Sequence, residues 1–214
     1  MTSPNRVTLF YSPQTRATGA RVLLEELGAP YDLHVLNMKA GEQRQPAYLA
    51  INPLGKVPAI RYGDALVTEQ VAITIFLADL FPQAALAPSL DDPLRGPYLR
   101  WIAYAGSSFE PAVVDRFMQR EPGPIAMSPY ADYDTMLGAL EAQLARGPYL
   151  LGDRFTAADV LWGIGLDWTM TFGLVPKKHA FVRFAERVTS RPAFQRVSAA
   201  DAEMAAQHAA AVGG

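Results

Sequence analysis

The 214-residue chain contains no cysteine. That excludes disulfide frameworks, thiolate-ligated zinc and iron–sulfur centres, CxxC redox motifs and every mechanism in which a protein thiol is the nucleophile. Any sulfur chemistry must use a sulfur brought from outside. Histidine is scarce as well: His34, His179 and His208 lie far apart and none sits in an HExxH pair, so no metal site is expected. Neither sign of charge dominates, with 19 basic against 21 acidic residues and a net charge of −2. The longest basic cluster, Lys177-Lys178-His179, is too short to neutralise a phosphate backbone, so nucleic acid is not an expected partner. The longest nearly apolar stretch, Val160 to Val175, carries Asp167 and falls short of the ~20 residues that span a bilayer. It reads as a buried helix, and no membrane partner is expected. The polar start Met1–Arg6 leads into Val7–Tyr11, too short for the apolar region of a secretory signal, which makes the expected location cytoplasmic.

Hydrophobic residues make up 50% of the chain and charged residues 19%, enough for a core with a mixed polar surface. A chain of this size buries roughly 70% of its unfolded surface. Val7–Tyr11 is rich in β-formers, and from Arg16 to Leu27 apolar residues recur at helical spacing up to Gly28-Ala29-Pro30, which closes the helix. Tyr31–Asn37 alternates like a second strand, completing a β-α-β unit. A polar loop, Gly41–Gln45, enters a short helix. Val57–Tyr62, a Gly63-Asp64 turn and Ala65–Val67 form a hairpin, and Thr68-Glu69-Gln70 opens a helix to Phe81. The order β-α-β-α-β-β-α is followed by a Pro-rich segment, Gln83–Pro97, that reads as a linker. Beyond it, Tyr98–Val114, Tyr133–Ala145, Ala157–Phe172 and Ala180–Ser190 read as helices, and Asp201–Gly214 as an Ala-rich, frayed helical tail. Thr156-Ala-Ala-Asp159 spells a capping box, so Thr156→Ala is expected to cost roughly 0.5–2 kcal/mol of stability.

Three motifs carry a family likeness. Asn52-Pro-Leu-Gly-Lys-Val-Pro-Ala59 resembles the NPxGxVPxL segment of the glutathione transferase superfamily. Thr68-Glu69-Gln70 with Ala72, Ile73 and Leu77 resembles that family's second motif, and Gly152-Asp-Arg-Phe-Thr-Ala-Ala-Asp159 its capping element. The resemblance covers nearly the whole chain. It implies an α/β plus all-α fold: a thioredoxin-like glutathione-binding domain over 1–83, a linker over 84–93 and an all-helical domain over 94–214. It also implies a cytoplasmic homodimer, glutathione as co-substrate with no metal, and a detoxifying transferase acting on small hydrophobic electrophiles. Glutathione-dependent reduction, peroxidase, dehalogenase or ether-cleaving chemistry, and a non-catalytic binding module, are the alternatives.

By the same resemblance, Val57-Pro58 is a cis peptide that leaves the Val57 backbone groups to pair with the cysteinyl part of glutathione. Glu69 and Gln70 meet the γ-glutamyl end at a helix start, where Gln70 replaces the family's Ser and keeps a donor. Gln43, Arg44 and Lys56 are candidates for the glycine carboxylate. A free thiol titrates near 8.5, so the protein's task is to stabilise the thiolate with a hydroxyl donor and the start of the first helix. The family's cysteine position falls near Arg16 and its serine position at Gln14 or Thr15. Thr15 is the first choice of donor, then Ser12, then Tyr11, with Arg16 as an electrostatic stabiliser. Helix capping is the competing role for Ser12 and Thr15. Tyr104, Ser107, Ser108, Phe109, Met118 and Trp168 are expected walls of an electrophile pocket between the domains.

Overall fold

The computed structural model of the protein describes residues 6–120 and 123–212, so Met1–Asn5, Glu121-Pro122 and Gly213-Gly214 lie outside the described residues. Contacts divide the chain into two compact units. The first joins the chain up to Ala84 with the segment from Arg191 onward, and the second is Ala85–Ser190.

In the first unit, β1 (Val7–Tyr11) lies at the centre of a four-stranded sheet of order β2-β1-β3-β4. It pairs in parallel with β2 (Tyr31–Val35) and antiparallel with β3 (Ala59–Tyr62), which turns at Gly63-Asp64 into β4 (Ala65–Val67). The parallel pair requires a crossover, supplied by α1 (Ala17–Leu27). Gly28 ends that helix in the left-handed conformation, its N–H returning to Glu25. Strand β2 stops at Val35 rather than Asn37, because Asn37 turns to cap a short 3-10 segment, Met38–Ala40. A second 3-10 turn, Glu42–Arg44, leads into α2 (Pro46–Leu49). The helix α3 (Gln70–Leu80) packs on α1 and β3. Leu9, Leu23, Leu24, Ile60, Ile73 and Leu77 are buried and form this unit's core.

The stretch read as a frayed helical tail is helical but belongs to a longer helix, α9 (Pro192–Ala210), which packs on α1. Its polar face is used for anchoring. Arg191 grips Glu26 through two bonds of 2.8 and 2.7 Å, Arg196 reaches Glu25 at 3.1 Å, and Asp201 is buried. Residues from Arg191 onward therefore belong with the sheet, whereas the sequence reading grouped all of 94–214 together.

The second unit contains α4 (Arg95–Tyr104), α5 (Glu110–Phe117), α6 (Tyr133–Leu144), α7 (Ala157–Thr171) and α8 (His179–Thr189). The single helix expected over Tyr98–Val114 is interrupted by a π-helical turn at Ala105–Phe109. Pro111 has no N–H to donate and its ring would clash with the carbonyl four residues back, so the preceding turn widens. Trp101, Trp162, Tyr98, Phe181 and Phe184 form the core, with the Trp162 indole N–H donating to the Trp101 carbonyl at 2.8 Å. At Gly163, a Cβ would come within 2.4 Å of Val188, so only glycine allows α7 and α8 to approach this closely.

Candidate functional site

The end of β1, the start of α1 and the start of α3 converge in the first unit. The Gln70 Nε2 donates to the Arg16 carbonyl at 3.5 Å, tying the two helix starts together. The β1–β3 register ends with Phe10 paired to Ala59; Ser12 follows β1 and Val57 precedes β3 at that same end of the two strands. Val57-Pro58 is cis. Among the described residues, neither the N–H nor the C=O of Val57 has a backbone partner, which leaves a strand edge with one donor and one acceptor. The preceding turn is held by Lys56, whose carbonyl accepts from the Tyr48 hydroxyl at 2.6 Å and from the Asn52 amide at 2.9 Å.

Each hydroxyl in the β1–α1 segment has a different commitment. The Thr15 hydroxyl donates to the Ser12 carbonyl at 2.7 Å and accepts the Ala17 N–H at 3.1 Å, so it caps the helix. Thr15, the first choice of donor, thus has its hydroxyl proton on the Ser12 carbonyl in this structure. Tyr11 is fully buried, and its hydroxyl donates to the Asp201 carboxylate. Burial, then the bond to Asp201, holds that phenol well above its usual range, so it stays protonated on the carboxylate. Ser12 is 3% exposed, and among the described residues no side-chain bond occupies its hydroxyl, whose oxygen is not sealed from solvent. Arg16 is exposed at the N-cap of α1.

At the start of α3, Glu69 is exposed with φ at 66°, a conformation rare for a residue with a Cβ, and no side chain caps the helix. The helix start thus presents its N–H groups and positive dipole end beside a carboxylate and the Gln70 amide. In the polar loop, Gln43 is half-buried with its Oε1 sealed and without a hydrogen-bond partner. It offers an acceptor on that side, where a carboxylate ligand requires a donor. Arg44 is exposed, its Nη1 donating to the Leu54 carbonyl at 3.3 Å, and the Lys56 side chain is exposed. Gly55, at φ 59°, allows the loop to lie this close: a Cβ there would sit 2.7 Å from the Gln43 carbonyl.

The six expected pocket residues all lie in the second unit. Tyr104 donates to the Met136 carbonyl at 3.1 Å, Ser108 to the Pro129 carbonyl at 3.3 Å, and the Phe109 ring meets Trp162 edge-on at 4.9 Å. Ser108 and Phe109 are buried and Tyr104 is half-buried. Ser107 is exposed, as are Met118 at 55% and Trp168 at 41%, the last stacked on Phe172 at 4.7 Å.

Asp201, Gln14, Thr18 and Arg21 were missed as neighbours of this site. The signal for their helix was present in Arg191-Pro192, since proline favours the first helical position. Nothing local marks the carboxylate's destination.

Comparison with known proteins agrees with this geometry. The model described as "Glutathione S-transferase, N-terminal domain" matches residues 14–80, and "Glutathione S-transferase, C-terminal domain" matches 130–163. The glutathione S-transferase PARB of Nicotiana tabacum is 30% identical, covering 70% of this chain and 75% of its own. The chain belongs to the glutathione S-transferase family. The maleylacetoacetate isomerase of Pseudomonas aeruginosa is also 30% identical to this transferase, over 94% of the chain and 91% of the isomerase. Among solved structures, a sphingomonad glutathione S-transferase complexed with glutathione has a TM-score of 0.75 at 26% identity, covering 91% of this chain and 98% of that one. A Sulfitobacter glutathione transferase homologue with bound glutathione has a TM-score of 0.73 at 28% identity, covering 94% and 99%. The thioredoxin-like unit with its helical companion is thus the glutathione transferase fold, and the protein is an enzyme of the transferase class.

Proposed function

We propose that this transferase binds glutathione along the Val57 strand edge and the start of α3, and holds its sulfur as a thiolate beside the Ser12 hydroxyl for attack on small hydrophobic electrophiles. The observation that carries this reading is the unspent hydroxyl of Ser12, next to the start of α1 and at the same end of the β1–β3 pair as Val57. A hydrogen bond to a charged acceptor contributes roughly 1.5–3 kcal/mol, and each pKa unit corresponds to about 1.4 kcal/mol, so one such bond lowers the thiol by one to two units. Glu69 accepts from the γ-glutamyl amine while Gln70 and the α3 N–H groups meet the γ-glutamyl carboxylate. Arg44 and Lys56 are the cations offered to the glycine carboxylate, with Gln43 beside them. Arg16 adds positive potential at the sulfur. The family resemblance supports a cytoplasmic homodimer with a detoxifying role and no metal.

Calorimetric titration with glutathione tests the reading, and absence of binding at millimolar concentration overturns it. With a generic aryl halide, Ser12→Ala is expected to lower kcat/KM about tenfold and to raise the apparent thiol pKa by about one unit. Thr15→Ala is expected to leave that pH profile in place and to cost about 0.5–2 kcal/mol of stability through the lost cap. An unchanged profile in Ser12→Ala sinks the assignment of the donor.

A further inference from the structure

Asp201 projects from α9 into the first unit, where it is 3% exposed and accepts from four groups. Its Oδ1 receives the Tyr11 hydroxyl and faces the Arg21 Nη1 at 3.4 Å. Its Oδ2 receives the Thr18 hydroxyl at 2.7 Å and the Gln14 backbone N–H at 3.1 Å. These partners surround Ser12: Tyr11 precedes it in the strand, Gln14 follows it in the turn, and Thr18 and Arg21 lie on the helix behind. Gln14 has φ at 55°, a left-handed conformation that costs a residue with a Cβ on the order of 1 kcal/mol unless something holds it. The carboxylate bonded to its N–H provides that hold. A buried carboxylate with four donors also fixes its own rotamer, so it transmits the position of α9 to the turn.

We propose that Asp201 is a positioning residue for thiol activation: from α9 it fixes the Tyr11–Thr18 turn so that the Ser12 hydroxyl points at the glutathione sulfur. This rests on the reading of Ser12 given above. Asp201 touches no substrate and acts only through the turn.

In Asp201→Asn one acceptor oxygen becomes an NH2 group. Whichever way the amide is turned, one pair of donors then faces a donor, either Tyr11 with Arg21 or Thr18 with Gln14. The test compares the full-length variants D201N, T18V, S12A and R196A by the ultraviolet absorbance of bound glutathione thiolate against pH, by kcat and KM with an aryl halide, and by thermal unfolding. The expected result for D201N is glutathione affinity within about threefold of the parent, kcat down about tenfold and the thiolate titration raised by about one pH unit. R196A, which loosens α9 at an exposed ion pair away from the turn, is expected to leave the titration in place. A D201N protein that unfolds earlier but keeps the parent titration overturns the inference, because a purely structural carboxylate would behave in that way. Should D201N fail to fold, T18V removes a single donor and is expected to shift the titration in the same direction by less; no shift there overturns the proposal. Adding Q14G to D201N restores part of the titration if the route runs through the left-handed turn, since glycine adopts that conformation without cost. An unrestored titration overturns that route. If S12A leaves the titration unchanged, the donor assignment fails and the positioning of Ser12 by Asp201 falls with it. If S12A shifts it and D201N does not, the donor assignment stands and the positioning role alone is overturned.

Discussion

A hydroxyl stabilises a thiolate only while its proton is not already given to a better acceptor, and this rule separates Tyr11, Thr15 and Ser12 more sharply than their places in the chain do. Tyr11 is spent on a carboxylate and Thr15 on a carbonyl, which leaves Ser12. The same accounting at Gln70 leads to a different expectation. Its amide reaches the Arg16 carbonyl only at 3.5 Å, a weak bond that a carboxylate ligand would displace. Gln70→Ala is therefore expected to raise KM for glutathione about tenfold while kcat stays within about twofold, measured by steady-state kinetics with glutathione varied, because the residue binds ground and transition states alike. Residues in local motifs were legible in the sequence: Val57, Pro58, Glu69 and Gln70 announce themselves through their neighbours. The donor was not, since the fate of the Tyr11 hydroxyl depends on a partner 190 positions away.

Helix starts and stops were readable for the same local reason, and α7 shows it best. The Thr156 N–H and hydroxyl each donate to Asp159 at 2.8 Å, and Asp159 also takes the Leu150 N–H at 2.8 Å. The box closes the helix start and pins the loop before it. Burial pushes the Asp159 carboxyl up to about 6, against its hydrogen bonds, which act in the opposite direction. An acid whose pKa rises on folding binds its proton more tightly in the folded state. Its contribution to stability is thus fully present below about pH 4 and lost as the pH climbs through about 6. Urea unfolding of the parent and of Asp159→Asn at both ends of that window is expected to show the parent's advantage shrinking by on the order of 2–3 kcal/mol toward higher pH. The signal for the π-helical turn at Ala105–Phe109 was Pro111, which cannot sit in the interior of the unbroken helix expected over Tyr98–Val114, although nothing local says whether the chain kinks, breaks or widens there.

On the scale of the whole molecule, the unit that holds the candidate site is assembled from two distant stretches of chain. Ending the chain after Ser190 would leave the Tyr11 hydroxyl buried without an acceptor, at about 1–3 kcal/mol, and would strip the buried Val197 and Ala193 from α1, at about 1.5–3 kcal/mol for the valine alone. Against a total stability of about 5–15 kcal/mol this is a large fraction. The truncated chain is expected to melt at least roughly 10 °C lower by circular dichroism, or to lose its cooperative transition. The linear division into an α/β half and a helical half missed this closure, because an Ala-rich helix carries too weak an apolar stripe to reveal which surface it covers. The order of synthesis follows from it. A ribosome releases the sheet, Ser12 and the strand edge at Val57 first, yet Tyr11 meets its carboxylate only when α9 emerges. A nascent chain therefore carries the Tyr11–Thr18 turn without its anchoring carboxylate until α9 emerges.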